Sequence, residues 1–237
     1  MVHYADDVTC ILPALKSDLE SIKDQMNDEI QEFDNWCTEN YLRMNPDKTK
    51  VMLLMNRRFG PPVCIREILT FSSMSILGVI FDQNLSWDKH VQKLRKTVNS
   101  RLYLLRKLRS FLNAEDLHLV YISVVRSIME YASPSFVGLN KKCSRILNTL
   151  DHRAHRIIFY GKKKTCCCDR EEVALRRNEA SKKLLMQIIR DNSHILHPIA
   201  PEYNEKTSRV RIPFSRTDTR SRSFIPFTAH LQSGIYH

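Results

Sequence analysis

Residues 3–8 read His-Tyr-Ala-Asp-Asp-Val, so two adjacent carboxylates, Asp6 and Asp7, stand between short apolar runs. Like charges side by side repel while their flanks favour burial, and a positive charge must therefore face them. A second stretch has the opposite character. From Lys89 to Arg109 there are eight Lys and Arg and no acid, namely Lys89, Lys93, Arg95, Lys96, Arg101, Arg106, Lys107 and Arg109. Such an array suits phosphates, although basic amphipathic helices also present plain solvated faces or bind membrane surfaces and calmodulin-like partners. Cys166-Cys167-Cys168, with His152 and His155 upstream, invites a zinc reading, but adjacent cysteines lack the reach of a C-x₂₋₄-C pair and no second pair lies nearby. Isolated thiols are the better reading. The chain carries no Gly-rich phosphate loop, dinucleotide fingerprint or HExxH, and no Ser/His/Asp or Cys/His set is discernible.

The 237 residues are 43% hydrophobic, enough for a core, and the formal charge of +11 points to a polyanionic partner. That charge is divided unevenly: residues 1–45 sum to −7, residues 46–82 to +2 and residues 83–237 to +16. No apolar run reaches the length of a membrane span, the N-terminus carries acids where a signal peptide carries bases, and seven cysteines form no regular framework. These features suggest a soluble protein of a reducing compartment, cytoplasm or nucleus.

The elements that position the two charged features follow from periodicity. Val2–Tyr4 and Val8–Leu12 read as two strands of a hairpin with Ala5–Asp7 at its turn. From Ala14 the apolar residues Leu15, Leu19, Ile22, Met26, Ile30, Phe33 and Cys37 recur at three and four, the mark of a helix of about six turns. Its acidic side reads as a solvated face. Asn45-Pro46-Asp47 and Gly60-Pro61-Pro62 mark turns, and Val51–Met55, Val63–Phe71 and Ile76–Phe81 read as strands. Ser86 is a candidate N-cap for a helix carrying Val91, Leu94, Val98, Leu102, Leu105 and Leu108 on one face. Asn113 caps the next, whose segment Leu117 to Ala132 is apolar nearly all round. Helical patterns recur over 140–159 and 171–191, and the Arg/Ser/Thr-rich stretch beyond Pro201 reads as an irregular basic tail.

Tyr4-Ala5-Asp6-Asp7 resembles the metal-binding turn of reverse transcriptases. The long helix, then Trp36 to Met44, Asn45-Pro46-Asp47-Lys48-Thr49-Lys50-Val51, Leu77-Gly78-Val79-Ile80-Phe81-Asp82, and Leu85-Ser86-Trp87 with His90, follow in an order similar to the C-terminal palm and thumb of non-LTR (LINE, jockey-like) retrotransposon polymerases. The likeness continues through Leu119 to Ser133, Arg153–Ile158 and Leu175-Arg176-Arg177, and Ser223-Phe224-Ile225-Pro226 resembles the family's ending.

The resemblance implies an α+β fold: a partial polymerase palm, a small antiparallel sheet plus helix over 1–82, followed by an all-helical thumb over 83–135, a C-terminal helical region over 136–200 and the tail over 201–237. It implies an RNA-directed DNA polymerase that uses two Mg²⁺ ions, with Asp6 and Asp7 as metal ligands, an RNA template and a DNA primer as partners, and no membrane. Tyr4 would pack beside the incoming nucleotide or primer end. Lys48 would act as a general acid toward pyrophosphate, where the plainer reading is a surface charge beside Lys50 after a turn. Gly78 would belong to the hairpin that grips the primer, where the plainer reading is a strand glycine at a bulge. The basic helix would follow the phosphates of the RNA/DNA hybrid. The family's site needs a further carboxylate and a fingers region that these residues do not include, and His3 stands where the family has an apolar residue. The expectation is a fragment, inactive as a polymerase by itself, with two rivals: a non-catalytic RNA or hybrid binding module, and a translated remnant without activity.

Overall fold

The computed structural model describes residues 2–4, 7–12, 19–54, 64–65, 68–69, 71–160 and 173–233. The fold is α+β, and the chain divides into two units, Met1–Met74 and Ser75–His237.

In the first unit β1 (Val2–Tyr4) and β2 (Asp7–Thr9) pair antiparallel, and α1 (Leu19–Glu39) follows. Near the end of α1, Phe33 stacks on Trp36 at 5.9 Å between ring centroids and Cys37 is buried. Asn45 then makes the turn that its sequence predicts: its side-chain oxygen accepts from the N–H of Asp47 and of Lys48, at 3.0 and 3.3 Å. Over the described residues 51–54 the expected strand at Val51–Met55 reduces to a single bridge, in which the Val51 carbonyl accepts from the Phe71 N–H at 2.8 Å; Met55 lies outside the described residues. Of the expected strand over 63–71, the described residues instead form an antiparallel pair, β3 (Cys64–Ile65) with β4 (Ile68–Leu69), Cys64 opposite Leu69, while Val63, Arg66, Glu67 and Thr70 lie outside the described residues. A run of β-branched and aromatic residues signals extended chain but not where it reverses.

The second unit begins in β5 (Ser73–Ile76), which pairs with β6 (Val79–Asp82) across a two-residue turn. The expected strand over 76–81 is thereby broken at Leu77 and Gly78. The helix α2 (Asp88–Leu108) buries Val91, Leu94, Val98, Leu102 and Leu105, the stripe read from spacing. Next come α3 (Ala114–Tyr121), a π-helical turn (Ile122–Arg126) and α4 (Ser127–Glu130). Leu117, Tyr121, Val125 and Met129 are all buried at steps of four. In a 3.6-residue helix that spacing drifts off the core face, and the wider π turn cancels the drift.

A 3₁₀ turn (Ser133–Phe136) leads to α5 (Lys141–Ile158), and α6 (Val173–Arg190) follows. Asn113 and Asn140 cap α3 and α5 with their side-chain oxygens, as their types predict. The α2 and α5 helices pack along their length and run in the same direction: Asp88 meets Cys143, Asn99 meets Arg153 and Arg109 meets Tyr160. The core joins Trp87, the α2 stripe, the α3–α4 stripe, Phe136, Leu147, Leu150, Ala154 and Val173.

The stretch beyond Pro201 is more ordered than its composition suggests. A short hairpin of β7 (Tyr203–Asn204) and β8 (Arg209–Val210), then α7 (Asp218–Ser221) and α8 (Phe224–Gln232), follow. Val210 and Ala229 are buried with Leu185 of α6, so a few apolar positions suffice to fix a segment otherwise rich in Arg, Ser and Thr.

Candidate nucleic-acid interface

The β1–β2 ladder sets Val2 against Thr9, His3 against Val8 and Tyr4 against Asp7. Asp7 is thus the first residue of β2 rather than part of the turn, and its side chain is exposed, as is that of Tyr4. Asp6 lies outside the described residues, as do Cys166, Cys167 and Cys168. Exposed carboxylate oxygens are the donors a hard cation such as Mg²⁺ selects. Among the described residues, however, no group of three or more His, Cys, Asp or Glu is placed to hold a metal ion, so Asp7 with its described neighbours does not make up a two-ion site. Lys48 is exposed in the Asn45 turn, and Lys50 lies over the Phe71 ring at 5.6 Å from the centroid.

Gly78 sits in the β5–β6 turn. Leu77 and Gly78 both have positive φ, 47° and 82°, the pattern of a type I′ hairpin, which glycine adopts freely and leucine at a cost. Two side chains from the helices hold this turn: the Tyr131 hydroxyl donates to the Leu77 carbonyl at 3.0 Å, and Lys93 Nζ donates to the Gly78 carbonyl at 3.1 Å. Lys93, expected among the phosphate-binding cations, thus spends one donor on the hairpin.

Leu85, Trp87 and Ala132 are also left-handed, at φ of 50°, 65° and 52°. Asp82 holds the loop that contains the first two. Its buried carboxylate accepts from the backbone N–H of Asn84, Ser86 and Trp87 at 3.0–3.1 Å and from the Ser86 hydroxyl at 3.1 Å. The expected N-cap differs accordingly. Ser86 is pulled toward Asp82, the residue before α2 is Trp87, whose side chain makes no cap, and the Ser86 hydroxyl accepts only a long 3.4 Å bond from the Asp88 N–H. Trp87 packs on Phe81 and Phe136, and buried His90 accepts from the Ile80 N–H through Nδ1 at 3.3 Å. Burial and the nearby Lys93 push the His90 imidazole below its ordinary range.

All eight cations predicted on α2 are exposed. A second basic face is present that the sequence reading did not single out. On α5, Lys141, Lys142, Arg145, Arg153 and Arg156 are exposed, while the helix's one acid, Asp151, is buried. The signal was legible: bases recur at helical spacing with no exposed acid between them.

Asp151 belongs to an internal network. It accepts from the Tyr121 hydroxyl and, at 3.4 Å, from Arg176, which also binds Glu130; Glu130 in turn accepts from Arg126 at 3.0 Å. Burial and the Asp151 carboxylate drive the Tyr121 phenol well above its usual range. Arg177, one residue on, is also buried; its Nε has no partner among the described residues, and burial alone pushes the guanidinium down to about 10.

Over 137 residues the chain is 26% identical to a probable RNA-directed DNA polymerase from transposon X-element of Drosophila melanogaster, an alignment covering 55% of this chain. The chain spans 15% of that protein's length. No family model matches, and no solved structure matches. The likeness is thus to part of an RNA-directed DNA polymerase. No helix of the described residues is long and apolar enough to cross a membrane.

Proposed function

We propose that the chain is the C-terminal palm and thumb portion of a non-LTR (LINE-type) retrotransposon reverse transcriptase and that its basic helices hold the RNA/DNA hybrid. The observation carrying this reading is the exposed, acid-free cationic face of α2, in a chain whose opening hairpin pairs Tyr4 with Asp7. The similarity to a transposon polymerase agrees with it. Contacts of this kind bind phosphates without reading sequence.

In the whole polymerase Asp6 and Asp7 would ligate Mg²⁺ together with a carboxylate from another segment, Tyr4 would flank the nucleotide, and Lys48 would face the leaving pyrophosphate. Supplied with the metal, such a site aligns and neutralises phosphates. The first unit leaves Trp36, Tyr41, Leu42 and Leu54 exposed, apolar side chains suited to cover by the remaining palm. On this reading hybrid binding, rather than polymerisation by itself, is the activity expected of this chain. A non-catalytic binding module is favoured over a remnant by the ordered, capped helices of the second unit.

Binding of a labelled RNA/DNA hybrid, measured by fluorescence anisotropy from 50 to 300 mM salt, tests the reading. Affinity should fall with a log–log slope of about −0.9 per phosphate neutralised on a duplex, with Arg95→Gln and Lys96→Gln each removing about one such increment. Affinity independent of salt would overturn it. Primer extension by this chain that vanishes in Asp6→Ala would overturn the inactivity.

A further inference from the structure

We propose that the seam between the C-terminal halves of α2 and α5 is a binding site for single-stranded nucleic acid, distinct in ligand from the duplex-tracking face. The proposal rests on the nucleic-acid reading above and narrows it to unpaired bases at a particular place.

The seam is located by its bridging side chains. Arg153 Nη1 donates to Asn99 Oδ1 at 3.0 Å, and the Arg109 guanidinium lies 4.5 Å from the centroid of the Tyr160 ring. On α2, Asn99, Tyr103 and Arg106 lie at steps of four and three, hence on one face; Arg153 and Tyr160 lie two turns apart on α5 and just beyond it. Both tyrosines therefore flank the same seam, and both stay in solvent, Tyr103 at 62% and Tyr160 at 74% exposure. Each ring already carries a cation, Lys107 standing 5.6 Å from the Tyr103 centroid.

Exposed aromatic rings interleaved with arginine and lysine are the components of a stacking platform. The rings hold bases and the cations hold the phosphates between them. A duplex hides its base faces, so rings held in solvent gain nothing from it beyond what the cations provide; an unpaired strand can place bases on both. The spacing fits. Tyr160 stands beside Arg109, six residues past Tyr103, which is about 9 Å along α2. That distance equals two to three stacking steps of about 3.4 Å. The charge also selects the occupant: Arg106, Lys107, Arg109 and Arg153 line the seam, and no exposed acid lies on α2 past Asp88 or on α5.

The test compares a labelled 12-nucleotide single-stranded RNA with an RNA/DNA hybrid of the same sequence, by anisotropy with the full chain. Tyr103→Ala and Tyr160→Ala should each weaken the single strand about 5- to 100-fold and leave the hybrid within twofold, consistent with stacking worth about 1–3 kcal/mol per base. Tyr→Phe at either position should restore binding, while Tyr→Leu, which keeps bulk but loses the π face, should not. Arg106→Gln should lower the salt slope for the single strand by about 0.7. Unchanged thermal midpoints would exclude misfolding as the cause.

Single-strand binding insensitive to both tyrosines would overturn the proposal, as would equal losses for strand and hybrid. Hybrid binding without single-strand binding would sink this inference and leave the polymerase reading standing. Failure to bind either ligand would remove both. Tyrosine-dependent binding to vesicles containing phosphatidylserine, with no binding to the strand, would assign the seam to a lipid surface and overturn the proposal.

Discussion

Replacing Asp82 by alanine should cost the second unit about 4 kcal/mol, a value that follows from its four donors. The Trp87 N–H is buried and would lose its acceptor, an unsatisfied donor worth about 1–3 kcal/mol. The N–H groups of Asn84 and Ser86 and the Ser86 hydroxyl are closer to solvent and can turn to water, so each forfeits less, about 0.5–1 kcal/mol. The carboxylate also holds Trp87 left-handed at φ 65°, a conformation that persists only while its surroundings enforce it. In a domain of 150–250 residues each kcal/mol moves the midpoint by roughly 2–4 °C. Asp82→Ala should therefore lower Tm by about 10 °C in a thermal melt followed by circular dichroism. Asp82→Asn should lie between, since one oxygen still accepts while the amide NH₂ opposes the remaining donors. A loss below about 2 °C for the alanine variant would refute the idea that this carboxylate organises the entry to α2.

Within the internal network, Arg176→Met should destabilise by about 3–5 kcal/mol in urea titration, because Glu130 and Asp151 are left without their shared cation. Its neighbour should behave oppositely: Arg177 is buried with Nε unpartnered, so Arg177→Met should raise stability by about 1–3 kcal/mol, and a fall would show an unrecognised partner. Stability should also fall with acid. His90 and His118 have folded-state values pushed down by burial, so the unfolded chain takes up more protons as pH drops below about 6.5, and Tm should decline from pH 7 to pH 5. His118→Phe should flatten that decline; an equal slope in the variant would count against it.

The helices were readable because their signals are local. Asn113 and Asn140 stand where an amide oxygen can cap a free N–H, and the leucine stripe of α2 repeats at helical spacing. The π turn was not legible, since Leu117 to Ala132 is apolar nearly all round and only burial singles out the four-residue steps of Leu117, Tyr121, Val125 and Met129. The strands were harder, because Ile76 to Phe81 looks continuous until Leu77 is known to turn left-handed, a cost repaid by Tyr131 from fifty-four residues away. Buried charges were hardest of all. Asp82, Asp151 and Arg177 carry nothing in their own types that separates them from surface residues, and their burial depends on partners distant in the chain. At the candidate site, the cations of α2 were legible as a stripe, whereas the pairing of α2 with α5 that creates the seam depends on the tertiary fold.

The close approach of Gly138 to the Arg222 backbone, where even a methyl group would collide with the carbonyl, bears on when the second unit matures during synthesis. Ala229, wholly buried beside Leu185, must also be in place before that side of α6 is covered. A ribosome that has delivered the chain only as far as residue 220 has therefore delivered an unfinished unit, with apolar side chains waiting for α8. Assembly of this half therefore waits for α8, and a nascent chain stalled before that segment would be a natural client for chaperones.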